Sequence, residues 1–125
     1  MAKGALKYIH PVLPVKDVKK ALSFYIDKLG FEMAFADDQT EPKYAGICRD
    51  NIEIHLQWHD EKEWEPDIDR PMLRIVAENI EALYEEFSKK DVFHERTALR
   101  ETPWGTKEFA FYDLDKNGLT FYVNL

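Results

Sequence analysis

The sequence has a single cysteine, no long apolar run and almost no clustered positive charge. With Cys48 alone among 125 residues, an internal disulfide is excluded and a reducing cytoplasm is the expected compartment. Its place in a strand-like segment gives it the ordinary reading of a core thiol. No apolar stretch approaches the roughly 20 residues that a membrane-crossing helix needs. The opening Met-Ala-Lys-Gly-Ala-Leu-Lys has neither the apolar stretch nor the cleavage site of a secretory signal. Basic clusters stop at Lys19–Lys20 and Lys89–Lys90, in a chain of net charge −7. Polyphosphate partners need concentrated positive charge, so DNA and RNA are not expected partners. The negative field suits a cationic ligand, although acidic side chains commonly do no more than solvate a surface. Also absent are a nucleophile–base pair, a phosphate-cradling glycine loop and a Cys-Xaa-Xaa-Cys site.

What remains is the composition of a packed, soluble domain: 45% hydrophobic, 14% aromatic and 33% charged residues. Its length suits one domain over residues 1–125 with a core of its own. Strand-like alternation opens at Tyr8–Val15, with Ile9, Leu13 and Val15 on one face and Tyr8, His10 and Val12 on the other. Pro11 and Pro14 each remove a ladder donor, which predicts an edge or swapped strand. Asp17 is placed to cap a helix carrying Val18, Ala21, Leu22, Tyr25 and Leu29 on one stripe, and Gly30 to stop it. Strands are predicted at Phe31–Asp37, Lys43–Arg49 and Ile52–His59. A polar connector over residues 60–70 follows.

The pattern then begins again. Pro71–Ala77 is strand-like, Asn79 stands at a cap, and Ile80, Leu83, Tyr84 and Phe87 form a helix stripe that ends at Lys89 and Lys90. A weaker strand at Arg96–Glu101 precedes stronger ones at Lys107–Asp113 and Gly118–Asn124. The Asn117–Gly118 pair between them suits a hairpin turn. An offset of 62 residues carries Val15 to Ala77, Asp17 to Asn79, Val18 to Ile80, Tyr25 to Phe87 and Phe31 to Phe93. The sequence therefore predicts an α+β fold of two βαβββ modules, residues 7–59 and 71–125. They would be related by a pseudo-twofold, with helices outside and sheets enclosing a cleft. An ordinary α+β sandwich with a chance repeat is the alternative.

Particular segments resemble the glyoxalase/bleomycin-resistance/dioxygenase superfamily, the vicinal oxygen chelate proteins. His10-Pro-Val-Leu-Pro-Val-Lys-Asp, Ala21-Leu-Ser-Phe-Tyr and Leu29-Gly-Phe look like its opening strand and helix. Tyr44-Ala-Gly-Ile-Cys-Arg-Asp, Pro103-Trp-Gly-Thr-Lys-Glu-Phe-Ala and Asp113-Leu-Asp-Lys-Asn-Gly look like its bleomycin-resistance branch. The resemblance implies the paired-module fold, commonly a homodimer, and a cleft that holds either a metal or a drug. Metal-ligand positions of catalytic members fall on His10, His55, Met72 and Thr120. The repeat is consistent with this, since 62 residues separate His10 from Met72 and 65 separate His55 from Thr120.

A catalytic divalent ion usually wants three or more protein ligands, and Met72 and Thr120 supply a thioether and a neutral hydroxyl. Glu53, His59 and Tyr122 stand nearby in sequence but off the ligand positions. No metal and no other cofactor are therefore expected. His10 and His55 are either hydrogen-bonded polar residues of a sheet face or ligand contacts. The faces meant for the helices are apolar throughout, whereas Tyr8, His10, Glu53, His55, Met72, Arg74, Thr120 and Tyr122 form a mixed face. That mixture matches a ligand pocket or a solvated sheet. Phe35, Trp64 and Trp104 are aromatic candidates for stacking a flat ligand, with ordinary packing or dimer contact as the alternative.

The reading is a homodimeric, non-catalytic protein binding a planar or cationic small molecule, for which the resemblance suggests a glycopeptide antibiotic. The expected ligand residues are His10, Phe35, Glu53, His55, Trp64, Trp104 and Tyr122. The alternative is a metal-dependent lyase or dioxygenase with altered ligands; a third reading is an interaction module whose cleft serves dimerisation.

Overall fold

The computed structural model describes residues 2–65 and 69–125, so part of the predicted connector lies outside the described residues. Its elements run β1 (Val12–Val15), α1 (Val18–Ser23), β2 (Glu32–Ala36), β3 (Tyr44–Arg49), β4 (Ile52–Trp58), β5 (Met72–Val76), α2 (Ile80–Ser88), β6 (Arg100–Glu101), β7 (Thr106–Tyr112) and β8 (Gly118–Asn124). A short 3-10 turn, Glu61–Glu63, follows β4. The strands form two four-stranded sheets, ordered β1-β4-β3-β2 and β5-β8-β7-β6. In each, the first strand pairs in parallel with the last and the other pairings are antiparallel. The repeat is therefore real: two βαβββ modules with the same strand order, each with its helix on the outer, apolar face.

Side-chain alternation decides that packing. Leu13, Val15, Ile54, Leu56, Leu119 and Phe121 are buried, and Leu73, Ile75 and Val123 pack against the same core. From α1 come Val18 and Ala21, followed by Tyr25 and Leu29; α2 contributes Ile80 and Phe87. Phe87 meets Phe109, Phe111 and Phe121 at centroid distances of 6.2, 5.7 and 5.3 Å. Truncating so buried a ring to alanine costs about 3–5 kcal/mol.

Polar contacts tie the modules together. Asn117 Nδ2 donates to the Pro14 carbonyl at 3.0 Å, and Lys16 N donates to Asp115 Oδ1 at 3.0 Å. Arg49 makes two hydrogen bonds to Glu86, at 2.8 and 2.9 Å, and a third to the Leu29 carbonyl at 2.7 Å.

Local signals hold at the first helix. Asp17 caps it by accepting from Lys20 N, and Gly30 stops it at φ 74°. Between them the helix widens into a π-turn, Phe24–Lys28. Elsewhere the expectations need correcting. The first strand begins at Val12, and Tyr8 and Ile9 are almost fully exposed. Pro11 has no N–H, so the ladder cannot extend through it; edge-strand Pro14 is tolerated. Asn79 occupies the cap position with left-handed backbone, φ 52°, but makes no side-chain cap bond. The weak strand shortens to two residues, Arg100–Glu101. At the last turn the left-handed residue is Lys116, φ 66°. Asn117 is instead fully buried, and its side chain bonds Asp113 as well as Pro14.

Candidate functional site

Alternation along β4 turns Ile54 and Leu56 inward, leaving Glu53, His55 and Gln57 on the open face. The parallel ladder brings His10 beside them, because His55 N donates to the Pro11 carbonyl at 2.8 Å. The His10 and His55 rings lie 4.8 Å apart. His55 is held at both nitrogens: Nδ1 lies 2.8 Å from Tyr44 Oη and Nε2 lies 2.7 Å from Glu53 Oε2. A neutral imidazole satisfies both when Tyr44 donates to Nδ1 and Nε2–H donates to the carboxylate. His10 Nδ1 stands 3.7 Å from the same Glu53 oxygen. The hydrogen bond from His55 holds the Glu53 carboxyl below the usual range.

Phe35 closes this group from β2. Its ring meets His55 edge-on at 5.1 Å and stacks near Tyr44 at 6.1 Å. The ring lies directly over Gly46, where any Cβ would collide with it. Tyr44 and Gly46 are site residues that the sequence reading missed. Their signal was present: alternation along β3 turns Ala45 and Ile47 into the core, which places Tyr44 and Gly46 together on the open face.

The second sheet carries different chemistry on its open face. Arg74 donates to Glu108 Oε2 at 3.0 Å, and the same oxygen accepts from Thr106 Oγ1 at 3.0 Å. The Arg74 guanidinium carbon lies 4.3 Å from the centre of the Tyr122 ring. Thr120 is buried, while Met72 is exposed with its side chain folded over Gly118.

An open cleft of about 740 Å³ runs between β5, the start of β4 and the segment before β1. His10, Glu53, Met72 and Arg74 line it, with Tyr8 and Ile52 among the apolar surfaces. Cys48 is half-buried at this cleft, which corrects its reading as a plain core thiol.

Of the predicted ligand residues, His10, Phe35, Glu53 and His55 come together. Tyr122 sits beneath Arg74 on the other sheet. Trp64 lies elsewhere, its Nε1 bonded to the His59 carbonyl at 3.0 Å and its ring 4.2 Å from the Arg70 guanidinium carbon. Trp104 projects from the turn between β6 and β7 with 66% of its surface exposed.

His10, Glu53 and His55 offer donor atoms that all lie within 4.8 Å of one another. Glu53 is not at a ligand position that the resemblance implies, yet it lies beside both histidines. Both nitrogens of His55 are already engaged, however, and the second module brings only Met72 and Thr120 to the corresponding places. The donor set fits an ion on one side only.

The sequence matches the model of the glyoxalase/bleomycin resistance protein/dioxygenase superfamily over residues 7–121. It is 30% identical over 129 residues to the bleomycin resistance protein of Geobacillus stearothermophilus, covering 92% of this chain and 95% of that one. The bleomycin resistance protein of Staphylococcus aureus gives the same figures. Among solved structures, the bleomycin-binding protein of bleomycin-producing Streptomyces verticillus, complexed with copper(II)-bleomycin, superposes with a TM-score of 0.76 at 27% identity. That match covers 97% of this chain and 100% of the other. A transposon-encoded bleomycin resistance determinant shares the fold at a TM-score of 0.80 and 18% identity, over 95% and 98% of the two chains. The open faces, the paired modules and these likenesses agree: the chain belongs to the glyoxalase/bleomycin resistance protein/dioxygenase superfamily, in its bleomycin-resistance-like branch.

Proposed function

We propose that this protein binds a small planar or cationic molecule stoichiometrically and makes or breaks no bond in it. Protection comes from holding the ligand away from its target, and the ligand class to test first is a glycopeptide antibiotic of the bleomycin type. The observation that carries this reading is Glu53: a carboxylate hydrogen-bonded by His55, set in a cleft whose remaining wall combines apolar side chains with Asp50, Asn51 and Arg74. Such a site attracts a cation and gives a flat body somewhere to lie. Phe35 and Trp104 are the aromatic surfaces assigned to stacking. They stand on different modules, so the reading takes the working unit to be a homodimer that can bring such surfaces together.

Titration with bleomycin tests this. A ligand at 100 times its dissociation constant stabilises the fold by about 2.7 kcal/mol, which a melting curve resolves. Unchanged melting and unchanged tryptophan fluorescence at saturating bleomycin would sink the proposal.

The donor cluster of His10, Glu53 and His55 favours one second reading, a metal-dependent lyase or dioxygenase with altered ligands. In that case these three residues would hold a divalent ion whose chemistry is Lewis-acid polarisation of a bound oxygen. His55 would have to release Glu53 to do so, while Tyr44 continued to fix its ring.

A further inference from the structure

The open face of β5 carries Met72, Arg74 and Val76, all exposed. A cation between two apolar side chains on an edge strand ordinarily sways in water. Arg74 is instead fixed from below, by its hydrogen bond to buried Glu108 and by the face of Tyr122. Glu108 is itself held by Thr106, whose hydroxyl lies 2.7 Å from that of Thr102. A guanidinium has five N–H donors. Among the described residues Arg74 uses one of them, and its side chain stays 47% exposed.

Arg74 and Glu53 line the same cleft from different walls. Among the described residues Glu53 pairs only with His10 and His55, and Arg74 only with Glu108. Opposite charges thus face one cavity without neutralising each other, Arg74 from β5 and Glu53 with the exposed Asp50 from the first module, across Ile52, Met72 and Ile75. A purely cationic guest would meet a like charge at Arg74, and a purely anionic one would meet it at Glu53. Discrimination by such repulsion is as effective as discrimination by contact.

Building on the ligand-binding reading above, we propose that the cleft selects an amphoteric ligand. Its cation goes to Glu53 and its carboxylate to Arg74, and Arg74 determines the specificity. Glu108 is a positioning residue that aims the fork. Each charge-assisted pair is directional, and the two-nitrogen edge of arginine matches the two oxygens of a carboxylate.

The test uses matched probes in ligand-observed NMR with the whole protein: para-aminomethylbenzoate and its biphenyl analogue as zwitterions, benzylammonium as the cation and benzoate as the anion. At least one zwitterion is expected to bind about ten-fold more tightly than both singly charged probes, a difference of about 1.4 kcal/mol. Arg74→Gln is expected to reduce the zwitterion to the affinity of benzylammonium, and Glu53→Gln to that of benzoate. Glu108→Gln is expected to fall between wild type and Arg74→Gln. If Arg74→Gln does not melt like wild type, Arg74→Lys is read instead; it keeps the charge, loses the fork and is expected to lose part of the preference. A wild type without zwitterion preference overturns the inference, and so does an undiminished preference in the Arg74 variants. If bleomycin still binds in those cases, the ligand-binding reading stands. If neither bleomycin nor any probe binds, both fall together.

Discussion

Tyr25 Oη donates a 2.7 Å hydrogen bond to Asp113 Oδ2, joining the helical segment of the first module to the end of β7 in the second. Asp113 also holds the loop after it, through Asp115 N at 2.8 Å and Asn117 N at 2.9 Å. Burial, reinforced by Asp113, pushes the Tyr25 phenol well above its ordinary value. The unfolded phenol ionises near pH 10, whereas the folded one stays neutral. This contribution is therefore complete below about pH 10 and is lost as pH rises beyond it. Tyr25→Phe is expected to destabilise by about 1.5–3 kcal/mol, the usual contribution of a hydrogen bond to a charged group, with Asp113 Oδ2 keeping Asn117 Nδ2 as a partner. It should also flatten the alkaline limb of stability measured by denaturant unfolding. An unchanged alkaline limb in the variant rules out this assignment.

Local signals made much of this fold legible. Asp17, Gly30 and the stripe from Val18 to Leu29 define the first helix by short-range rules, and Gly118–Asn124 has the bounds that alternation predicts. Failures occur where a residue answers to something distant. Asn117 reads as a turn residue but is buried against Pro14, 103 positions away. The candidate site divides the same way. Glu53 and His55 share a face by simple alternation, whereas the fixing of Arg74 by Glu108 needs a pairing across 34 positions that no local pattern contains.

Purified protein is expected to contain well under one equivalent of transition metal per chain. Met72 and Thr120 leave the second module without a strong ligand, and His55 is engaged at both nitrogens. Elemental analysis that finds about one zinc, iron or nickel per chain would replace the binding function with the metal-dependent reading. Met72→His with Thr120→Glu is expected to create measurable affinity for zinc.

Trp104→Ala is expected to weaken bleomycin binding by about 1–3 kcal/mol, the usual loss for an aromatic anchor. Bleomycin should quench the fluorescence of the wild type more than that of the variant, since Trp104 is one of three tryptophans. Equal affinity in the two proteins removes Trp104 from the site.

Light scattering is expected to give about twice the 14.8 kDa chain mass at micromolar concentration. Leu6, Met33 and Trp58 are exposed without lining the cleft, and a partner would cover such surface. A mass near 14.8 kDa contradicts this.

Gly46→Ala is expected to lift the Phe35 ring from the sheet, because the new methyl would occupy the space of that ring. Overpacking of this kind costs about 1–3 kcal/mol. The ring-current shifts of His55 protons in NMR report the displacement, and unaltered shifts with unaltered stability contradict it.

The parallel pairings of β1 with β4 and of β5 with β8 carry a consequence for how the chain folds. Antiparallel neighbours such as β3–β4 and β7–β8 are joined by short turns and can zip from them. A parallel partner must wait until an entire module has been traversed, so loop closure precedes any reward from the ladder. β1 and β5 are therefore expected to dock late and to exchange their amide hydrogens soonest. β5 and the segment leading into β1 also border the cleft, so the site takes shape only as folding finishes. Pulsed hydrogen exchange that protects β1 and β5 before either hairpin would reverse this order.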